Sequence, residues 1–276
     1  MARWDWYQAT VHEASASAVC RHLEKSFPGS VTTPGYAKNG YLHGAVIVLD
    51  EKPICEIWWE GNPGVQVKAS GENSPGVCQA LREGHFKHRV SRADACEDWK
   101  EKGLFDRLAD HLRSYAIKHN IKLNQQGDWT RGESRTLYLG SRKSVAQLVL
   151  YEKGYQTGTD PTWVRLEARI FPKGDKGYDV SQWLPADAFG GTRWMTNLLH
   201  ELGWDHLQKR SIGTVRKPTD AEKIRTAMFN QYGPALVHLI HDLGGPDAPM
   251  HEILKLYDQH QEETQALKKM VEDMHR

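Results

Sequence analysis

Residues 135–171 read RTLYLGSRKSVAQLVLYEKGYQTGTDPTWVRLEARIF and carry the clearest secondary-structure pattern in the chain. Three runs combine β-branched and aromatic residues with alternating polarity, at Thr136–Gly140, Val145–Lys153 and Thr162–Phe171. Turn-forming residues separate these runs, at Gly140-Ser141 and between Gly154 and Pro161. The pattern predicts three short strands of a largely antiparallel sheet.

The alternation within these strands separates an apolar face from a polar one. In the third strand the apolar side chains are Val164, Leu166, Ala168 and Ile170, and the charged ones are Arg165, Glu167 and Arg169. The second strand sets Leu148 and Leu150 against Gln147, Tyr151 and Lys153. The apolar face predicts a core. The polar face fits two interpretations, which are an active site for phosphate chemistry and an ordinary solvated sheet face.

Bulk composition excludes several classes of protein. The chain has 276 residues, and its 36 Lys and Arg nearly balance 35 Asp and Glu, so composition alone indicates no nucleic-acid binding. No apolar run is long enough for a membrane span, and the N-terminus shows no secretory pattern. The four cysteines are scattered without a CxxC pair, which argues against a zinc knuckle and favours free thiols in a reducing cytoplasm.

The order of the remaining elements predicts an α+β fold, in which flanking helices accompany the central sheet and a helical C-terminal region follows. Further strands are expected at Trp4–Val11, Tyr41–Asp50, Ile54–Glu60, Val65–Ala69, His88–Asp98 and Lys122–Asp128. Helices are expected at Ala14–Ser26, Pro75–Phe86, Trp99–Asn120, Val180–Leu202 (in pieces), Ala221–Tyr232, Pro234–Leu243 and Ala248–Arg276. We place an α+β domain at residues 1–172 and the helical region at 173–276, with DNA binding, dimerisation or partner binding as its open roles.

The stretch HRVSRADACED, as a strand, aligns Arg92, Asp94, Cys96 and Asp98 on one face. By strand rise, Asp94 and Asp98 lie roughly 13 Å apart, so they cannot share one ion unless the strand bends or ends. Asp94 with a carboxylate from another strand is the better candidate for a metal site. The competing interpretation is a salt bridge from Asp94 to Arg92 or to an arginine of the third strand.

Several motifs together resemble one known family. The motifs are the opening WDWYQAT, the R-x-D-x-C-x-D strand at 92–98, TLYLGSRKS at 136–144, LYEKG at 150–154 and WVRLE at 163–167. As a set, they resemble the rolling-circle replication initiators of filamentous bacteriophages and small plasmids, the Rep_trans type. Cys96 stands where that family usually has alanine. The resemblance covers about Trp4 to Phe171 and leaves out the C-terminal region.

The resemblance implies an enzyme that nicks one strand at a replication origin through a 5′-phosphotyrosyl intermediate. A divalent metal, Mg²⁺ or Mn²⁺, would assist, and such ions favour oxygen ligands. Asp94 and Glu167 are the expected ligands, with a contribution from Asp98 or Glu97. No His-x-His pair occurs, which excludes a direct match to nicking enzymes that bind metal with such a pair.

Two tyrosines compete for the role of nucleophile, because Tyr138 and Tyr151 both fall on polar strand faces and periodicity does not separate them. The family's Y-[DE]-K pattern favours Tyr151, with Tyr138 as the alternative and Tyr155, in the turn, as a third candidate. Lys153 and Arg165 are the expected catalytic cations, because both can bind phosphate oxygens.

The expected partner is origin DNA, single-stranded or as melted duplex, with host helicase and polymerase as further candidates and a homodimer left open. DNA contacts are expected from Arg92, Arg142, Lys143 and Arg169. The same resemblance allows a relaxase for conjugative transfer, and the fold alone allows a non-catalytic DNA-binding regulator. A bacterial cytoplasm is the expected location, without membrane contact.

Overall fold

The computed structural model describes residues 1–141, 143–213, 219–245, 251–252, 254–262 and 265. Its strands are β1 (Arg3–Val11), β2 (Val31–Gly35), β3 (His43–Leu49), β4 (Lys52–Trp59), β5 (Val65–Ser70), β6 (His88–Lys100), β7 (Leu123–Asp128), β8 (Glu133–Leu139), β9 (Ala146–Glu152) and β10 (Trp163–Ile170). Its helices are α1 (Ala16–Ser26), α2 (Ser74–Glu83), α3 (Leu104–Lys118), α4 (Lys153–Thr157), α5 (Lys176–Val180), α6 (Pro185–Phe189), α7 (Arg193–Glu201) and α8 (Asp220–Asp242).

The strands form one sheet of ten, in the order β2-β3-β4-β5-β1-β6-β10-β9-β8-β7. Each neighbouring pair is antiparallel. The predicted α+β class with a largely antiparallel sheet is therefore confirmed. The centre of the sheet joins β6 to β10, so two segments that lie far apart in the sequence become neighbours.

The apolar face of the sheet forms the core, as the alternation predicts. Leu148, Leu150, Leu166 and Ala168 are buried there together with helix residues such as Leu112 and Phe189. Burial of this apolar surface is the main favourable contribution to folding. The opposite face of the same strands carries the charged residues.

A β-bulge in β1 changes which side chains reach each face. The pairing of β1 with β6 shifts between Trp4 and Trp6. Trp4 is buried in the core, and Asp5 reaches the polar face, where its carboxylate contacts Arg165. Tyr7 and Ala9 of β1 also lie in the core, so unbroken alternation from them would turn Trp4 to the polar face and Asp5 to the core, and the bulge exchanges the two.

Several predicted boundaries are wrong. Trp99 and Lys100 do not begin a helix, because they continue β6 by pairing with Val164 and Trp163 of β10. Helix α3 starts only after Gly103, which has a positive φ of 76°. Strand β9 ends at Glu152, and Lys153 begins the short helix α4 where a turn is expected from the sequence. Strand β2 is not predicted, because its sequence VTTPG contains proline and glycine.

The chain divides into two compact units, Met1–Val215 and Arg216–Arg276. The sequence predicts a domain boundary after residue 172, where the predicted strands end. In the structure, α5 and α6 follow that position and contact β6 inside the first unit.

In the second unit α8 is one helix, not two, and Pro234 lies inside it. Thr219 and Glu222 cap its first turn reciprocally. The described residues of the predicted last helix, Ala248–Arg276, are helical at 251–252, 254–262 and 265. Over the described ranges, no helix is both long and apolar enough to cross a membrane.

Candidate active site

The polar face of β6, β10 and β9 assembles most of the predicted site residues. The strand register places Arg165 between Asp98 on one neighbouring strand and Tyr151 on the other. Arg169, four residues further along β10, lies opposite Asp94. Side chains on adjacent antiparallel strands at such positions are close enough to interact.

Tyr151 and Glu167 form the centre of the site. The Tyr151 hydroxyl donates a hydrogen bond of 3.0 Å to Oε2 of Glu167, and both side chains are buried. Burial raises the pKa of the Tyr151 hydroxyl, and the Glu167 carboxylate raises it further. The charge of Arg165, whose Nη1 lies 3.5 Å from the hydroxyl oxygen, lowers this pKa and so partly opposes the two effects. The resting site therefore holds Tyr151 protonated.

Asp94 is the second buried carboxylate of the site and lies next to Glu167. Burial raises the pKa of Asp94 to about 7, with a further contribution from the negative charge of Glu167. Arg92 Nε donates to Oδ1 of Asp94 at 3.0 Å, and Arg169 Nε lies 3.9 Å from Oδ2. Arg169 Nε also donates to Glu167 at 2.7 Å. Two arginines thus neutralise two adjacent carboxylates, so the salt bridges considered from the sequence are present.

Asp98 anchors Arg165. Its two oxygens accept hydrogen bonds from Arg165 Nε at 2.6 Å and from Nη2 at 2.9 Å. Trp163 Nε1 and Arg3 Nη1 donate to the same carboxylate at 3.0 and 2.9 Å. Partial burial favours the neutral acid, but the hydrogen bonds from Arg165 and Trp163 outweigh it and lower the pKa of Asp98. The structure therefore associates Asp98 with Arg165, apart from the Asp94 and Glu167 pair.

Asp5 is a site residue that the sequence analysis missed. Its Oδ1 accepts a hydrogen bond of 2.8 Å from Arg165 Nη1. Asp5 and Asp98 together hold a guanidinium group that is 2% exposed. The alternation of β1 gives no sign of this contact, since the bulge between Trp4 and Trp6 creates it.

Lys153 lies beside Tyr151, although on a helix rather than on a strand. Its Nζ is 5.7 Å from the centroid of the Tyr151 ring and donates to Gln156 at 2.9 Å. Partial burial lowers the pKa of Lys153, and the positive charge of Arg165 lowers it further. The ammonium group is near enough to the tyrosine to contact a phosphate attached to it.

Tyr138 shares the polar face but lies outside this network. Its hydroxyl donates to Oε1 of Gln126 at 3.1 Å, and the Arg169 guanidinium lies 5.9 Å from its ring centroid. Lys143 is exposed in the turn after β8. Arg142, predicted to contact DNA, lies outside the described residues.

The residues present fit a divalent metal held by two carboxylates. Mg²⁺ commonly binds one or two carboxylates, keeps several waters and accepts substrate phosphate as a further ligand. Asp94 and Glu167 offer such an oxygen donor set, and burial, with the negative charge of Glu167 in addition, raises the pKa of Asp94. No cluster of three or more His, Cys, Asp or Glu able to hold a metal occurs within the described part of the chain.

Residues 89–201 match the model of the Rep_trans family, described as replication initiation factor. The resemblance to Rep_trans replication initiators is confirmed. The match contains β6, β9 and β10, and so the strands that carry Asp94, Tyr151 and Glu167, although it covers less than half of the chain and leaves out β1.

Among solved structures, the chain is similar to the rolling circle replication initiator protein from Geobacillus stearothermophilus. The two share 21% sequence identity, with 81% of this chain and 90% of the other covered and a TM-score of 0.50. At 21% sequence identity, this similarity shows that the two proteins share a fold. No curated protein matches the chain in sequence.

Proposed function

We propose that this protein initiates rolling-circle replication by nicking one DNA strand at an origin, with Tyr151 as the nucleophile. The hydrogen bond from Tyr151 to Glu167 carries the proposal, because it pairs a nucleophile with a proton acceptor. The Rep_trans match and the initiator-like fold support the same activity.

The hydroxyl oxygen of Tyr151 attacks the phosphorus of a phosphodiester while its proton passes to Glu167. The bond from phosphorus to the 3′-oxygen breaks, the 3′-oxygen takes a proton from water, and the proton that Glu167 then releases neutralises the hydroxide that remains. The protein stays joined to the 5′-phosphate, and the free 3′-hydroxyl is the primer for synthesis.

Three cationic side chains would assist the attack of Tyr151 on the phosphate. The Arg165 charge beside the hydroxyl stabilises the developing tyrosinate, since this guanidinium already opposes the raised pKa of Tyr151. Lys153 and Arg169 are close enough to the Tyr151 and Glu167 pair to hold non-bridging phosphate oxygens. A divalent ion held by Asp94 and Glu167 would add Lewis-acid polarisation of the phosphate.

A matched pair of variants tests the nucleophile. Tyr151→Phe and Tyr138→Phe each remove one hydroxyl from the same sheet face, with loss of its hydrogen bond to Glu167 or to Gln126 respectively. With supercoiled DNA carrying the cognate origin and Mg²⁺ or Mn²⁺, we expect the wild type and Tyr138→Phe to form a covalent adduct on denaturing gels. Tyr151→Phe should form none.

The opposite result from the two variants would move the nucleophile to Tyr138 and leave the enzyme assignment intact. An adduct that survives loss of both hydroxyls would end the assignment to either tyrosine. Origin binding by the wild type without any adduct, in either metal, would favour a non-catalytic DNA-binding regulator of the same fold.

A further inference from the structure

The polar face continues past the candidate active site onto β1, β5 and β4. Trp6 lies beside Asp94 on one side and Ser70 on the other. Lys68 pairs with Glu56 of β4, and Lys38 lies in the loop that crosses this part of the face. We call Trp6, Lys68, Glu56 and Lys38 the basic track.

Two cations from the neighbouring strands lie over the ring of Trp6. Lys68 Nζ lies 4.6 Å from the centroid of its ring, and the Arg92 guanidinium carbon lies 4.3 Å away. The indole is half-buried, and its Nε1 has no hydrogen-bond partner among the described residues.

The track carries a net positive charge. Lys38 and Lys68 share the single carboxylate of Glu56, with 2.6 Å between Lys38 Nζ and Oε1. The side chains of Lys38 and Lys68 remain 51% and 24% exposed. Lys38 is exposed, and because exposed ion pairs contribute little stability, a phosphate can replace Glu56 as its partner at small cost.

The track is also continuous with the active site. Arg92 stacks on Trp6 and binds Asp94, and Arg169 reaches from Asp94 to Glu167, which accepts from Tyr151. Four strand spacings, about 19 Å, separate Lys68 on β5 from Tyr151 on β9 across the sheet, and the register adds six residues, about 20 Å, along the strands. The two displacements combine to about 28 Å, which about eight nucleotides cover at about 3.4 Å per stacked nucleotide.

We propose that the basic track binds single-stranded DNA on one side of the nick, with a base against Trp6 and backbone phosphates on Lys68 and Lys38. Aromatic side chains interleaved with cations are the usual means of binding a single strand without reading its sequence. The proposal rests on the proposed function, since it takes the strand at Tyr151 as its starting point.

The test measures binding of fluorescein-labelled thymidine oligonucleotides to the full chain between low and moderate salt. Lys68→Gln should flatten the slope of log affinity against log salt by about 0.7, the value for one lost phosphate contact with a single strand. Trp6→Leu should weaken binding about fivefold or more, and Trp6→Phe should retain part of the affinity. Lys118→Gln, an exposed lysine on α3, is the matched control and should bind as the wild type.

A length series separates a local contact from a folding defect. Origin oligonucleotides are shortened from either end, and the effect of Lys68→Gln should disappear in one of the two series once fewer than about eight nucleotides remain beyond the nick. A Lys68→Gln protein that matches Lys118→Gln in affinity, salt slope and length dependence would overturn the proposal. The partly exposed Lys68 keeps this test valid even if Trp6→Leu unfolds the protein.

Covalent adduct formation is measured in parallel on origin DNA. An adduct together with oligonucleotide binding that Lys68→Gln does not change would overturn the basic track and leave the proposed function standing. Oligonucleotide binding that Lys68→Gln weakens, with no adduct from the wild type, would support the basic track and overturn the proposed function.

Discussion

The hydroxyl of Tyr151 on β9 donates a hydrogen bond of 3.0 Å to the carboxylate of Glu167 on the adjacent strand β10. The bond places a proton acceptor directly on the candidate nucleophile. It also joins the nucleophile to the candidate metal site, because Glu167 lies next to Asp94 and shares Arg169 with it. Any change at Glu167 should therefore affect proton transfer and metal binding together.

Replacing Glu167 with glutamine should slow adduct formation by about 100-fold or more, the usual contribution of a positioned general base. Single-turnover nicking of origin DNA measures the effect. Glu97→Gln is the matched control, because Glu97 lies opposite Leu166 on the core-facing side of β6 and binds the N-terminal amine. Equal rates for the two variants would remove Glu167 from the chemistry.

Metal affinity should depend on pH through Asp94. Its pKa is raised to about 7 in the folded protein, so below that pH the carboxyl is protonated and a metal ion must displace the proton. We expect the affinity for Mn²⁺, measured by titration calorimetry, to rise between pH 6 and pH 8 and then level off. Asp94→Asn should bind weakly without this dependence. A wild-type affinity that is unchanged across this range would contradict the assignment of Asp94.

Loss of Arg165 should destabilise the first unit. The guanidinium is buried and satisfies both Asp98 and Asp5, so Arg165→Met leaves two partly buried carboxylates without it. We expect a loss of about 3 kcal/mol in the free energy of unfolding, measured by urea denaturation. Adding Asp98→Asn should recover part of the loss, because it removes one of the unpaired charges. Additive losses in the double variant would show that the two side chains are not coupled.

Glu152 should matter for stability and not for chemistry, although it follows Tyr151 directly. Its carboxylate accepts from the backbone N–H and the guanidinium of Arg135, with 2.8 Å to each of the two donors. Glu152→Gln should lower the melting temperature, while the rate of adduct formation per folded molecule stays near that of the wild type. A large loss of rate at temperatures where the variant is fully folded would place Glu152 in the active site.

The alternation of residues along β9 and β10 was enough to identify the two faces of these strands. Val164, Leu166 and Ile170 are buried in the core, and Glu167 and Tyr151 meet on the other side, as period-two alternation requires. The α+β class and the position of the central strands followed from the same local pattern.

Tertiary structure decided which of these polar residues meet. Asp94 reaches Glu167 because β6 pairs with β10, and no local pattern encodes that pairing. Asp98 binds Arg165 for the same reason, and Lys153 leaves the sheet because β9 ends one residue earlier than its sequence suggests.

The bulge in β1 shows most directly why the local sequence does not specify which residues meet in the site. A strand of alternating residues fixes its faces only while its pairing register is unbroken, and one extra residue exchanges them. The register shift between Trp4 and Trp6 thereby buries Trp4 and brings Asp5 to Arg165. The local sequence specified the strands and their faces, whereas the register between distant strands specified the site.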